Sequence, residues 1–193
     1  MARQRIRNPG RTVNVNDPFL KETGVETEEA AMQDSIVSAL QRNKTYANGV
    51  PEGDRKSFRE EWAKLIRSES QRYSKALRDD QHCEAIERIS NNLSCRFEPY
   101  LHEGHLRFGT SQKAFNLYLK FLWRLKMMAV CSPPHCPVDR IVLTEAGIKE
   151  AWTKCDSRDQ YMRWIRELRK KAHPDCLAQW EYRVWLKRRK KPT

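Results

Sequence analysis

The sequence contains few of the segments that direct a chain into a membrane or out of the cell. No run approaches the roughly 20 apolar residues that a membrane-spanning helix needs. The charged N-terminus is not followed by the apolar segment of a signal peptide. Six cysteines occur without a secretion signal, which predicts reduced thiols. We therefore expect a cytoplasmic protein that has no membrane partner.

The motifs of several enzyme classes are also missing. The sequence has no Walker-type phosphate loop, no glycine-rich dinucleotide fingerprint and no nucleophile elbow. These absences count against nucleotide-dependent and hydrolase chemistries, and we expect no cofactor.

Charge is the strongest compositional feature that is present. The chain has 37 lysines and arginines against 25 acidic residues, a net charge of +12. Such an excess suits a polyanionic partner, and nucleic acid, above all duplex DNA, is the partner that we expect. A soluble protein that is merely basic is the alternative.

The apolar pattern predicts an all-α protein, a compact bundle of about six to eight helices over residues 18–193. Residues 1–17 are too polar to bury much surface, and we expect a disordered basic arm there. Thr23 and Glu26 resemble a capping box at the start of a helix that reaches Asn43.

Further helices follow from spacing and capping residues. We expect a long helix from Asp54 to Asp80 and a shorter one over 81–94. Asp156 is the predicted cap of a helix that reaches Ala172. Asp175 is the predicted start of a last helix with a basic end.

The segment from Ser111 to Lys126 is apolar on most sides. A helix of that kind belongs in the centre of a domain. The sequence Ser-Pro-Pro breaks it, and a short helix is expected near Pro137, although the following residues Arg-Ile-Val-Leu could form a strand instead.

The stretches FGTSQKAFNLYLKFLW and PPHCPVDRIVL resemble the catalytic core of helix-hairpin-helix DNA glycosylases, particularly the archaeal 8-oxoguanine type. The resemblance covers roughly residues 101–145. It implies a helix-hairpin-helix-like segment in which Lys113 attacks the sugar C1′ to form a Schiff base and Asp139 supports departure of the base. It also implies that hairpin residues hold a DNA phosphate, and these would be Gly104, Gly109, Thr110 and Ser111.

The positions suit that chemistry. A nucleophilic lysine must be partly neutral, and a place in the first turn of a helix disfavours the cation on Lys113. Helix amides favour the anion on Asp139 beside Pro137.

An ordinary interpretation of the same residues remains open. Lys113, Lys120 and Arg124 fall within about 40° of one another around the helix, and a basic stripe of this kind contacts solvent or phosphate without any catalysis. We expect Lys120 and Arg124 to bind DNA, together with three residues of the C-terminal basic cluster, Lys187, Arg188 and Arg189.

Two other patterns predict different chemistry. Cys131, His135 and Cys136 are possible zinc ligands, but the spacing is loose, no fourth ligand stands nearby in sequence, and buried thiols are favoured over a metal site. Arg96 and His102 match the loose arginine–histidine spacing of helical HEPN-type defence ribonucleases, although Pro99 interrupts the helix that they need.

We therefore expect a DNA-binding protein that acts as a base-excision glycosylase and abasic-site lyase. The alternatives are a helical nucleic-acid-binding protein without catalysis and a defence ribonuclease.

Overall fold

The computed structural model describes residues 16–41, 43–129 and 132–189. Within them the chain forms eight α-helices: α1 (Pro18–Thr23), α2 (Glu28–Leu40), α3 (Glu52–Ser70), α4 (Asp79–Phe97), α5 (Phe108–Arg124), α6 (Arg140–Glu145), α7 (Arg158–Ala172) and α8 (Leu177–Arg189). Short 3-10 turns lie at Gln71–Ser74, Glu98–Tyr100, His102–Gly104 and Trp152–Lys154. The described residues form no strand beyond one isolated bridge between Tyr46 and Leu101. The all-α prediction is confirmed, while the predicted arm lies almost wholly outside the described residues.

Helix α5 is the centre of the fold, as its apolar pattern predicts. Nearly every residue from Phe108 to Leu122 is buried, and Phe115 and Leu119 are fully enclosed. Helices α1, α2 and α4 pack directly against it. None of the described helices is long and apolar enough to cross a membrane.

Helix α5 begins three residues before the predicted start, because Gly109 allows its N-terminus to pack tightly. A Cβ atom at Gly109 would lie 2.0 Å from the carbonyl oxygen of Trp152. The amide of Gly109 donates to the carbonyl of Cys155 at 2.8 Å. The glycine therefore permits a close helix-to-turn contact and belongs to the first turn of the helix.

The N-terminal helix boundaries differ from the sequence expectations. Thr23 ends α1, and Gly24 follows it in the left-handed conformation at φ 66°. Thr27 is the N-cap of α2, since its hydroxyl accepts from the amide of Ala30 at 3.1 Å. The predicted capping box of Thr23 and Glu26 is therefore wrong.

The long helix predicted from Asp54 to Asp80 is also divided in two. Helix α3 starts at Glu52 after Pro51 and ends at Ser70. The chain leaves the helical path at Tyr73, whose ring is buried. Helix α4 then begins at Asp79, two residues before the predicted short helix.

A chain of hydrogen bonds crosses the core and joins three of these helices, α4, α5 and α7, to the 3-10 turn at Gln71–Ser74 and to the segment before α6. In order it runs from Tyr73 to His82 (2.5 Å), Asn116 (2.8 Å), Tyr161 (3.0 Å), His135 (2.9 Å) and Asp79 (3.2 Å). One arrangement of protons satisfies these contacts and agrees with the burial of both histidines, which disfavours their charged forms. Both histidines are neutral, each carries its proton on Nε2, and each accepts a tyrosine hydroxyl at Nδ1.

This arrangement predicts that the protein loses stability in mild acid. Burial lowers the pKa of His82 and of His135. The unfolded chain takes up a proton at each histidine below about pH 6.5 and the folded chain does not, so unfolding becomes easier as the pH falls. We expect the free energy of unfolding to drop, between about pH 6 and 5, by up to about 1.4 kcal/mol per pH unit for each histidine that stays neutral in the folded chain.

Urea unfolding at several pH values measures this dependence. The exposed His173 provides the control, because His173→Gln should leave the slope unchanged. A free energy of unfolding that stays constant from pH 7.5 to 5 would show that the histidines are not held neutral.

Candidate functional site

The structure brings Lys113 and Asp139 together. The Lys113 Nζ atom lies 2.7 Å from Asp139 Oδ2. Their side chains are 12% and 24% exposed, so both reach solvent through a small opening. The pair lies in a cavity of about 180 Å³, which we call the pair cavity, lined also by Ser38, Gln41, Arg140, Ile141 and Trp152.

The contact depends on the neighbouring residue Gln112. Its side-chain amide donates to the carbonyl of Val138 at 2.7 Å and accepts from the amide of Val138 at 3.2 Å. Gln112 and Lys113 are consecutive on α5, and Val138 and Asp139 are consecutive in the facing segment. The clamp between Gln112 and Val138 therefore sets Asp139 opposite Lys113.

Asp139 is the N-cap of α6. Its Oδ1 atom accepts from the amides of Ile141 at 2.9 Å and Val142 at 3.1 Å, which leaves Oδ2 for Lys113. Burial acts to raise the pKa of Asp139, but the Lys113 charge and these hydrogen bonds outweigh it and lower the pKa. The carboxylate is therefore ionised at neutral pH. The helix starts at Arg140, after the expected Pro137, and residues 140–143 do not form a strand.

Lys113 lies in the second turn of α5, because the helix starts at Phe108. The expectation that it occupies the first turn is wrong, and the argument from the positive end of the helix dipole is correspondingly weaker. A second carboxylate faces it from α2. Burial raises the pKa of Asp34, and the charge of Lys113 acts in the opposite direction. As it stands, Lys113 is an ion-paired cation, and it becomes a nucleophile only after a proton leaves it.

The residues predicted to form a phosphate-binding hairpin do not form one. The amide of Gly104 donates to the Leu101 carbonyl, that of Gly109 to Cys155, and those of Thr110 and Ser111 to Arg107. Gly109, Thr110 and Ser111 are also buried. Since these amides already have acceptors inside the protein, they do not offer free donors to a phosphate, and phosphate binding by these residues stays a prediction.

Lys120 does not face solvent either. It is 3% exposed, its Nζ atom lies 2.8 Å from the Glu181 carboxylate, and it sits 4.1 Å from the centre of the Phe19 ring. Because its charge is already compensated within the core, the structure gives no support to its predicted contact with DNA.

Arg124 holds the N-terminal part of the chain onto α5. Its Nε atom lies 2.6 Å from Asp17 Oδ2, and the guanidinium lies 4.2 Å from the centre of the Tyr182 ring. The predicted basic stripe is therefore mainly an internal contact between α1, α5 and α8, and Arg124 is not free to bind DNA.

Only part of the C-terminal basic cluster is available to a binding partner. Lys187 and Arg188 are exposed and form no ion pair with a described residue. Arg189 pairs with Glu22 and donates to the Pro18 carbonyl at 3.1 Å. Lys187 and Arg188 thus remain candidates for DNA contact, whereas Arg189 is occupied.

The zinc and ribonuclease patterns gain no support from the geometry. His135 is buried and belongs to the core hydrogen-bond chain, and no three metal-ligating side chains cluster within the described ranges, which exclude Cys131. Arg96 pairs with Glu61 at 2.8 Å, and α4 ends at Phe97 before His102 is reached.

Sequence reasoning missed a second cavity that adjoins the pair cavity. It has a volume of about 190 Å³, and we call it the basic cavity; its lining is Asn43, Lys44, Thr45, His102, His105, Leu106, Arg107, Thr110, Thr153 and Lys154. The two cavities are neighbours, because residues close together along the chain line them. Ser38 and Gln41 line the pair cavity and residues 43–45 line the basic cavity. In the same way, Trp152 lines the pair cavity and residues 153–154 line the basic cavity. No motif joins these segments, so the sequence gives no signal for the cavity.

Comparisons of the chain with protein-family models, with curated proteins and with solved structures gave no match. The resemblance to glycosylases therefore rests on residues 101–145 alone, and function has to be argued from the side chains.

The clamp predicts a large effect of Gln112→Leu. The substitution keeps the bulk of the side chain but leaves the buried amide and carbonyl of Val138 without partners, each at about 1–3 kcal/mol. We expect urea unfolding to show a loss of about 2–5 kcal/mol. Gln33→Leu, on the exposed side of α2, is the control and should change stability by less than about 0.5 kcal/mol. Equal effects of the two substitutions would show that the clamp does not hold this segment.

Proposed function

We propose that the protein binds nucleic acid, duplex DNA first, through the surface around the two cavities. Three exposed cations border them: Lys44, Arg140 and Lys154. None of the three forms an ion pair with a carboxylate of the described residues. We call these three residues the cationic face, and the position of their uncompensated charges at the two cavities is the observation that carries the proposal.

The distribution of ion pairs makes unpaired cations a better guide to a nucleic-acid-binding surface than the net charge of the chain. Most of the acidic side chains in the described residues are paired with lysines or arginines elsewhere, for example Glu69 with Arg88 and Asp79 with Arg169. Paired cations contribute little attraction for an external phosphate. Unpaired cations that are close together release counterions when they meet a polyanion, which is the main source of affinity for nucleic acid.

A base-excision lyase is the second candidate, and one observation favours it. Lys113 and Asp139 are in contact at 2.7 Å in a cavity that opens beside the cationic face. In this mechanism Asp139 accepts a proton from the Lys113 ammonium. The freed amine then forms a bond to the sugar C1′, and the bond from C1′ to the base breaks as the base departs. A damaged base would have to leave the duplex to reach such a site.

Salt dependence tests the cationic face. The variant Lys44→Gln/Arg140→Gln/Lys154→Gln should bind duplex DNA more weakly, and the slope of log K against log salt should shrink by about 2–3. The control is Lys75→Gln/Arg166→Gln/Lys171→Gln, which removes the same charge from three exposed cations that line neither cavity. Fluorescence anisotropy at several salt concentrations provides the measurement. Equal losses in the two variants would mean that binding is not centred on this face.

Borohydride trapping tests the second candidate. With an oligonucleotide that contains an abasic site, a Schiff base on Lys113 should be reduced to a stable covalent adduct, and Lys113→Gln should abolish that adduct. Asp139→Asn retains an N-cap residue but removes the proton acceptor, so it should slow adduct formation. Binding of the abasic DNA by the wild type without any adduct would rule out the lyase and leave the binding function intact.

A further inference from the structure

We propose that the basic cavity is a binding pocket for one phosphate group. The proposal deepens the nucleic-acid function and rests on it for the source of the ligand, although the same pocket would also fit a small phosphorylated molecule. The residues that line the cavity support this proposal. They include lysines, an arginine, histidines, three threonines and an asparagine. None of the described lining residues is acidic.

Two of the lining cations are uncompensated. Arg107 pairs with Glu103, and His105 lies 2.7 Å from Asp156. Lys44 and Lys154 are exposed and pair with no carboxylate of the described residues. Their two charges match the charge of about −1.5 to −2 on a phosphate monoester at neutral pH.

Thr45 supplies an independent sign of a missing ligand. The residue is 7% exposed, it lines the cavity, and its hydroxyl oxygen has no hydrogen-bond partner. A buried hydroxyl without a partner costs free energy, so native structures rarely contain one unless a ligand or water completes it. A phosphate oxygen could accept a hydrogen bond from this hydroxyl.

The basic cavity has three walls, drawn in order from residues 43–45, 102–110 and 153–154. Their positions are fixed without a ligand. The amide of His102 donates to the Thr45 carbonyl at 2.9 Å, which ties the first wall to the second. Arg107 donates to the Thr153 carbonyl at 3.2 Å, which ties the second wall to the third. Because the three segments are already joined, binding would cost little ordering of the chain.

The position of His105 limits where an anion can sit. Both of its ring nitrogens face acceptors, the Glu103 carbonyl at 3.0 Å and Asp156 at 2.7 Å, and these hydrogen bonds raise its pKa. A larger cavity of about 620 Å³ lies on its other side, with Glu87, Asp156 and Asp159 in its wall. The acidic wall repels anions, so the phosphate belongs on the side of Lys44 and Lys154.

The volume fits one phosphate and part of its sugar. Pockets for drug-sized ligands measure about 300–1,000 Å³, and the basic cavity, at about 190 Å³, is smaller. A whole nucleotide would extend out of it, towards either the pair cavity or solvent.

Calorimetric titration with inorganic phosphate at constant ionic strength tests the pocket. Wild-type protein should bind phosphate saturably, and Lys44→Gln/Lys154→Gln should weaken binding at least tenfold. The control Lys75→Gln/Lys171→Gln removes equal charge elsewhere and should change the affinity less than twofold. Thr45→Val, which is nearly isosteric, should weaken binding by about two- to tenfold, the value of one hydrogen bond. Absence of saturable binding, or equal weakening by the control, would overturn the proposal.

Competition experiments identify the source of the phosphate. If the ligand is a nucleic-acid phosphate, inorganic phosphate should displace a bound oligonucleotide, and Thr45→Val should weaken oligonucleotide binding. If phosphate binds in the pocket but no oligonucleotide binds, the pocket stands and the nucleic-acid function fails. If oligonucleotides bind wild type and Thr45→Val equally and phosphate does not compete, the ligand of the pocket is not a nucleic-acid phosphate, so that source is overturned while the nucleic-acid function stands.

Discussion

The hydrogen bonds between the Gln112 side chain and the backbone of Val138 are the constraint on which the candidate site depends. Gln112 is fully buried on the central helix, and its amide satisfies both polar groups of Val138. It also accepts from Asn116 at 3.1 Å, so the clamp is continuous with the chain of hydrogen bonds through the core. A single glutamine thus connects the interior of the bundle to the position of Asp139.

The basic side chains of α5 mainly form ion pairs inside the bundle. Lys120 is bound to Glu181 and Arg124 to Asp17, so these cations hold α1, α5 and α8 together. Buried ion pairs of this kind are costly to break because removing one partner leaves the other uncompensated. Three of the cations that remain available for a partner lie instead in a connecting segment (Lys44), at the start of the short helix α6 (Arg140) and in a 3-10 turn (Lys154).

Local sequence patterns predicted the helices. Most of the features that they did not predict depend on contacts between residues far apart in the sequence. The apolar residues of α5 recur along one segment, so their burial could be predicted from spacing alone. The start of α5 could not be predicted in this way, because a close contact with the distant Trp152 requires a glycine at position 109. Helical spacing also places Lys120 and Arg124 on one face, but it does not reveal that Glu181 and Asp17 pack against that face.

The candidate site also has one part that could be predicted from the sequence and another that only the fold reveals. The meeting of Lys113 and Asp139 was expected from the family resemblance, although 26 positions separate them. The clamp that produces the meeting joins a side chain to a backbone, and such a pair leaves no pattern in a sequence. The basic cavity joins three segments with no motif in common, so only the fold brings Thr45, Arg107 and Lys154 together.

The central claim is that nucleic acid lies on the surface around the two cavities, and amide NMR spectra of the protein titrated with a short DNA duplex test it most directly. The largest shifts should occur in residues 43–45, 140–141 and 152–154, which line the two cavities. Shifts confined to the end of α8, or to α7, with none around the cavities, would contradict the account.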